Sequence, residues 1–308
     1  MGNFEITPTN KELNNIIKKT FNSLDIAQST RKEYFNKIHN FLDFVEKNWF
    51  DENVFIEYKN HLKEREDISV ASKNLYLTSA RILLKQMYKM WKLPIDVTFG
   101  VKSFAQNKKH KKFGLNQEEI DKVINYLKTL DQQDTHNKLK KIRRIKAVFA
   151  LLMFQWLRQI ELIRLNVEDV DISNNVIFVM WKWKYDKEKV NLHPIASETL
   201  KDYINIFNIT TGPLFFSISN NSYQKRLTTR SLRRIVKDIF LNLDIDKSTH
   251  WFRHFFTTKL LRDFHWDIMK TRKFTRHSSL EMLLVYNDEI ETEKNLKDFY
   301  ESFEDMEF

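Results

Sequence analysis

Apolar positions recur every three to four residues over most of the chain, which predicts helices. Residues 10–92 read as about four of them. Ser29 and Thr30 mark a start, and Tyr34, Ile38, Phe41, Leu42 and Val45 then share one face. Tyr76, Ala80, Leu83, Leu84, Met87 and Trp91 share another, ended by Pro94. Asn116 with Glu119 predicts a capping box, followed by Ile120, Val123, Ile124, Leu127 and Leu130 on one side. A long helix over about 136–156 opens basic and closes apolar. The period then changes. Val176 to Trp181 is β-prone, and Lys189 to His193 alternates before Pro194, so a polar hairpin joins two strands, with a third near Val167–Ile172. Helices resume at about 197–207, 228–243, 250–262, 267–275 and 279–286. The expected class is mainly α with a small antiparallel β-sheet.

Composition removes several classes. Four glycines in 308 residues, at Gly2, Gly100, Gly114 and Gly212, are too far apart for a G-x-G-x-x-G or Walker-type phosphate loop. Without cysteine there is no disulfide framework, thiol nucleophile or Cys-based zinc site. The longest apolar run, Ala147 to Phe154, is under half of the ~18 residues a membrane span needs. No signal-peptide core or lipidation motif opens the chain. A soluble, cytoplasmic protein is expected, with no cofactor or metal.

Charge points to a polyanion. The net +10 hides an asymmetry: Asn287 to Phe308 holds nine acidic residues and two lysines, −7, leaving +17 on residues 1–286. Such a body suits nucleic acid. Two helix faces of the first part carry Arg31, Lys32 and Lys37, and Lys73, Arg81, Lys85 and Lys89. Between Gly100 and Gly114 the periodicity lapses and Lys102, Lys108, Lys109, Lys111 and Lys112 cluster, as in an extended basic linker. Solvated surface explains any one of these; together they predict phosphate contacts. In the acidic tail, Leu296, Phe299, Tyr300 and Phe303 form one apolar helical face.

Four local patterns carry chemistry, and each alone has an ordinary reading. Arg158 and Glu161 suit a helix-surface ion pair. Lys182 lies in a polar hairpin. His250 and His254 flank Arg253 at the spacing of a zinc pair, but Trp251 stands where H-E-x-x-H needs glutamate. Tyr286, nine residues after His277, suits a core tyrosine.

In this order and spacing the patterns resemble the tyrosine recombinase (phage integrase) family. Its G-L-R-x-x-E-L-x-x-L box is matched by Trp156 to Leu165, and its H-x-L-R-H box by His250-Trp251-Phe252-Arg253-His254. Its L-G-H…Y segment is matched by Thr275-Arg276-His277 through Tyr286, and the G-K-G hairpin of Xer-type members by Trp181-Lys182-Trp183. Each family glycine is replaced, by Trp156, Trp181, Trp183 and Arg276. Lys184 and Lys187 lie within reach of the same turn as Lys182, and Arg276 either contacts phosphate or is solvated.

The resemblance implies a helical core-binding (SAM-like) domain over 1–100, a basic linker over 101–113, an α+β catalytic domain over 114–286 and a protomer-exchange tail over 287–308. With a first helix near residue 10, the layout is similar to the simple two-domain Xer-like type. A phenol of ordinary pKa about 10 needs help to attack a phosphodiester. Tyr286 is then the nucleophile, Arg158 and Arg253 stabilise the charged non-bridging oxygens, and His277 adds a hydrogen bond. Lys182 protonates the leaving 5′ oxygen, His250 takes the tyrosine proton and Glu161 orients the arginines. The implied product is a 3′-phosphotyrosine, with strand exchange through a Holliday junction. The implied partners are double-stranded DNA with inverted half-sites and further copies of the chain, a dimer on a site and a tetramer in synapsis. An accessory protein is a further candidate partner. Type IB topoisomerase-like activity, telomere resolution and non-catalytic DNA binding are the alternatives.

Overall fold

The computed structural model describes residues 10–48, 50–106, 114–130, 136–181, 186–219, 223–276, 280, 283–284 and 300–301. The chain divides into two units, residues 1–108 and 109–308.

The first unit is built from α1 (Asn10–Asn22), α2 (Gln28–Lys47), α3 (Val54–Glu64) and α4 (Val70–Lys89). Each apolar stripe turns inward: Ile16, Ile17 and Phe21 meet Ile38, Phe41 and Phe44, then Phe55, Tyr58 and Leu62, then Leu77, Ala80, Leu83, Leu84 and Met87. The Tyr58 hydroxyl donates to Asn40 Oδ1 at 2.9 Å, so the buried phenol is satisfied. Burial pushes its pKa up.

Two local expectations need correction. Helix α2 starts one residue before Ser29, its N-cap is Ala27, and no side chain caps it. Helix α4 stops at Lys89 rather than running to Pro94. Trp91 leaves the helical stripe with φ 55° and is 93% exposed.

The chain after α4 folds back. Val97, Val101 and Phe104 pack on the helical core. Asn74 donates to the Phe104 carbonyl at 3.0 Å and accepts its N–H at 2.8 Å. Residues 101–104, at the start of the segment expected as a linker, are thus docked on the first unit. Residues 107–113, with Lys108, Lys109, Lys111 and Lys112, lie outside the described residues.

The second unit begins with α5 (Gln117–Thr129). Its capping box is made as expected: Asn116 Oδ1 accepts from Glu119 N at 2.8 Å, and Glu119 Oε2 from Asn116 N at 2.9 Å. Then come α6 (His136–Phe154) and α7 (Gln159–Arg164), followed by a three-residue 3-10 turn. The sheet has the order β1 (Val170–Asp171), β2 (Val176–Met180), β3 (Lys187–Asn191), antiparallel throughout, with Ile177 opposite Val190 and Val179 opposite Glu188. Helices α8 (Pro194–Phe207), α9 (Thr229–Asn242), α10 (His250–Asp263) and α11 (Ile268–Thr275) complete it. Helix α8 starts three residues earlier than expected, because proline is accepted at the first helical position and His193 Nδ1 caps Ile195 N. The fold is mainly helical with one small antiparallel sheet.

Helix α6 is the centre of this unit. Residues Ala147 to Met153 are all buried, and Phe149 meets Phe240 of α9 and Phe252 of α10 edge-on, at 6.4 and 5.7 Å. Such pairs add about 0.5–1.5 kcal/mol each beyond burial. Arg144, expected on the basic opening of α6, is instead buried and donates to the Phe216 carbonyl at 3.1 Å. Among the described residues no helix is long and apolar enough to cross a membrane.

Candidate active site

Arg158 and Glu161 open α7, but not as a surface pair. Arg158 is the N-cap and Glu161 the third helical residue. The Glu161 carboxylate is fully buried; Oε2 accepts the Arg158 backbone N–H at 2.9 Å and Oε1 accepts Nη1 of the same arginine at 2.7 Å. One buried anion thus fixes both ends of Arg158, which keeps 36% of its side chain exposed.

Arg253 arrives from α10, almost a hundred residues later. It is 8% exposed, its Nη1 donates to the Trp156 carbonyl, and its guanidinium lies 3.2 Å from the centre of the Trp156 ring. Trp156 is in turn held by α10, since its Nε1 donates to Thr257 Oγ1 at 2.9 Å while that hydroxyl donates to the Arg253 carbonyl at 2.9 Å. The indole is therefore the platform that brings Arg158 and Arg253 to one place.

His250 is the first residue of α10, exposed and one turn before Arg253, on the same side of the helix. His254, the other histidine of the box, is buried beneath Gly114, where an added Cβ would fall 2.2 Å from its Nδ1. Lys187, one of the two other lysines near that turn, is ion-paired with buried Asp169. Lys182, Lys184, His277 and Tyr286 lie outside the described residues.

Residues that the sequence left undecided complete the cluster. Arg276, the C-cap of α11, has a side chain only 7% exposed, and its Nη2 reaches Glu161 Oε2 at 3.5 Å. It is not solvated. Trp181, at the end of β2, lies 5.8 Å from the guanidinium carbons of both Arg158 and Arg276, and Trp156 lies 5.7 Å from both. Burial pulls the Arg276 pKa down, against the carboxylates of Glu161 and Glu188. Trp156 and Arg276 both have left-handed backbones, φ 52° and 50°, which cost a non-glycine residue about 1–2 kcal/mol. These are two of the positions where the resemblance has glycine.

Two further side chains brace the cluster without any motif to announce them. Gln159 donates to Thr249, just before α10, and accepts from Arg233 Nε of α9 at 2.8 Å. Arg226 donates to the carbonyls of Ile163 and Leu165 at 2.9 and 3.0 Å, closing the end of α7. Long-range bonds of this kind leave no periodic trace in a sequence.

The basic faces of the first unit are only partly available. Arg31 donates inward to the Leu24 carbonyl at 2.7 Å, and Arg81 to Val101 at 2.7 Å while lying 5.2 Å over Phe55. Burial lowers the Arg81 pKa. Lys73 donates to the Lys63 carbonyl at 2.9 Å. Lys32 and Lys37, with Ser29, Glu33, Asn36 and Tyr76, line an open depression in which Lys37 lies 4.6 Å over the Tyr76 ring, and Lys85 is exposed.

Three guanidiniums, of Arg158, Arg253 and Arg276, thus gather around Trp156 on a helical unit with one small sheet. The sequence profile of the phage integrase family matches residues 114–293, more than half of the chain, so the protein belongs to the phage integrase family, the tyrosine recombinases, and is Xer-like. A tyrosine recombinase of Synechocystis sp. is 26% identical over 150 residues, 47% of this chain and 48% of its own. XerD of Staphylococcus epidermidis is 25% identical over 295 residues, 89% and 94% respectively. The chain thus spans about half the length of some curated relatives and nearly all of another. The fold is shared with the XerH site-specific recombinase bound to palindromic difH substrate (TM-score 0.70, 18% identity, 95% of this chain and 83% of that one). It is also shared with the Tn1549 transposon integrase bound to transposon right end DNA (TM-score 0.63, 14% identity, 89% and 94%).

Proposed function

We propose that the protein is a site-specific DNA recombinase that cuts and rejoins strands through a 3′-phosphotyrosine. The observation that carries this reading is the convergence of Arg158 and Arg253 on Trp156, with Glu161 buried behind them. Two guanidiniums that stay charged match the non-bridging oxygens of a phosphodiester, where negative charge gathers in the transition state.

In the proposed step the Tyr286 oxygen bonds to phosphorus, the bond to the 5′ oxygen breaks, His250 takes the phenol proton and Lys182 supplies one to the leaving oxygen. His277 adds a hydrogen bond to the phosphoryl group. A 5′ hydroxyl from the partner duplex then attacks the phosphotyrosine, restoring the phosphodiester and passing through a Holliday junction. The phosphoryl bond energy is conserved, so ATP is not consumed. Lys32, Lys37, Lys85 and the linker lysines contribute backbone contacts.

Assembly is proposed to run through the acidic tail. In the second unit a cavity of about 280 Å³ is lined by apolar Val236, Phe240, Leu241 and Ile245 and by Arg233, Lys237 and Lys247, with Asp244 and Asp246 also on its wall. The apolar side chains support docking of the Leu296, Phe299 and Phe303 face of a neighbouring copy, with the three basic groups outnumbering the two aspartates, giving a dimer on inverted half-sites and a tetramer in synapsis.

The test uses a duplex selected by the full chain from a random-sequence pool and nicked near the scissile position. Wild-type protein should become covalently attached; Tyr286→Phe should bind equally and form no adduct. Adduct formation by Tyr286→Phe would overturn the nucleophile. On a plasmid with two such sites, recombined product supports the reading. Relaxed circles, hairpin ends or a shift alone point to a topoisomerase, a telomere resolvase or a binding-only protein.

A further inference from the structure

Arg276 is difficult to account for as structure. Its side chain is more than nine-tenths buried, yet Nε and Nη1 have no hydrogen-bond partner among the described residues, and Nη2 has only a 3.5 Å contact with Glu161. A buried guanidinium with unsatisfied donors is unfavourable unless something else binds it. Its backbone compounds the oddity, since φ 50°, ψ 34° at a helix C-cap is where glycine is most favourable. A local rule broken twice at one residue points to function.

The surroundings define the missing partner. Arg276 and Arg158 lie at matching distances from Trp156 and from Trp181, so both guanidiniums neighbour the same two indoles. Glu161 ties them together, and Glu188 is a second nearby carboxylate.

We propose that Arg276 is a third phosphate-binding guanidinium of the strand-cleavage site, donating Nε and Nη1 to the scissile phosphodiester beside Arg158 and Arg253. The Trp156 and Trp181 rings lie 5.7 and 5.8 Å from the Arg276 guanidinium carbon, and its planar edge carries the donors that an anion can take. This rests on the recombinase reading and extends it: the tryptophans and Arg276 form one unit, in which the bulk of the indoles positions the added arginine.

The experiment compares wild type, Arg276→Gly and Arg276→Lys in single-turnover adduct formation on the selected, nicked duplex. A second substrate carries a methylphosphonate at the scissile position, where a neutral methyl replaces one charged oxygen. Glycine suits the left-handed backbone, so Arg276→Gly should keep its unfolding midpoint and bind the duplex within about threefold. It should form adduct about 10²-fold more slowly on phosphate, the usual effect of losing one such donor. On methylphosphonate, with less charge to stabilise, its deficit should shrink to under about tenfold. Arg276→Lys should fall between the two on phosphate.

Wild-type adduct with an undiminished Arg276→Gly rate overturns the inference alone. An equal deficit on both substrates overturns it too, by showing a structural role. No adduct from wild type overturns the recombinase reading, and this inference with it.

Discussion

Two ion pairs of nearly equal length should respond very differently to the same change. Arg158 Nη1 lies 2.7 Å from Glu161 Oε1, and Lys122 Nζ lies 2.8 Å from Glu118 Oε1. The Glu161 carboxylate is fully buried, whereas that of Glu118 is 74% exposed. Glu161→Gln keeps volume but removes the charge facing Arg158 and Arg276, and turns an amide N–H₂ toward donors. Breaking a fully buried pair costs about 3–5 kcal/mol. Because Arg158 is 36% exposed, water recovers part of that, and about 2–4 kcal/mol is expected. In a unit of this size each kcal/mol moves the midpoint by roughly 2–4 °C, so Glu161→Gln should unfold roughly 4–16 °C lower. Glu118→Gln should cost under about 1 kcal/mol. Differential scanning calorimetry of both variants measures this. Sulfate should recover part of the Glu161→Gln loss, since an anion that binds only the folded cluster stabilises it. If Glu161→Gln melts within about 2 °C of wild type, the carboxylate is not what holds the arginines, and the electrostatic account of the site is wrong.

Gly114→Ala should destabilise rather than help: removing a glycine ordinarily stabilises by about 0.4–1 kcal/mol, but here the new Cβ meets the His254 ring at 2.2 Å, and overpacking costs about 1–3 kcal/mol. Urea unfolding measures it, and adding His254→Ala should lessen the penalty; a variant as stable as wild type would remove the steric argument. Exposed Glu168 accepts from Thr211 Oγ1 at 2.7 Å and Gly212 N at 2.8 Å, which lowers its pKa from 4.5 to about 2. A depressed carboxylate stabilises above its unfolded pKa and loses that contribution as pH falls through the folded one. The melting difference between wild type and Glu168→Gln should therefore be constant above about pH 5 and shrink toward pH 2. A difference that grows on acidification would contradict the sign.

Much of the architecture could be read from the chain because its causes are local. The stripes of α2 and α4, the Asn116–Glu119 box and the alternation around β3 repeat over one turn or one pleat, a range that neighbouring residues encode by themselves. The arginine and histidine boxes were equally visible, as fixed spacings of particular residue types. Where local cues competed, packing decided: Trp91 continued a stripe but the helix ended first, and Ser29 offered a start that Gln28 preceded.

Charge shows most clearly what a sequence alone does not settle. Arg31 and Arg81 read as surface cations and Arg144 as part of a basic helix opening, yet each donates to a carbonyl of its own unit, because a long apolar stem lets a guanidinium reach inward. Arg276 was equally ambiguous between phosphate and solvent. Its burial depends on Trp156, Trp181 and Glu161, brought from α7 and β2 to the end of α11 by the packing of α10. The spacing of residue types carries the chemistry along the chain, but desolvation is a property of what covers a group, and the covering segments lie about a hundred residues away. Only the tertiary structure decides that.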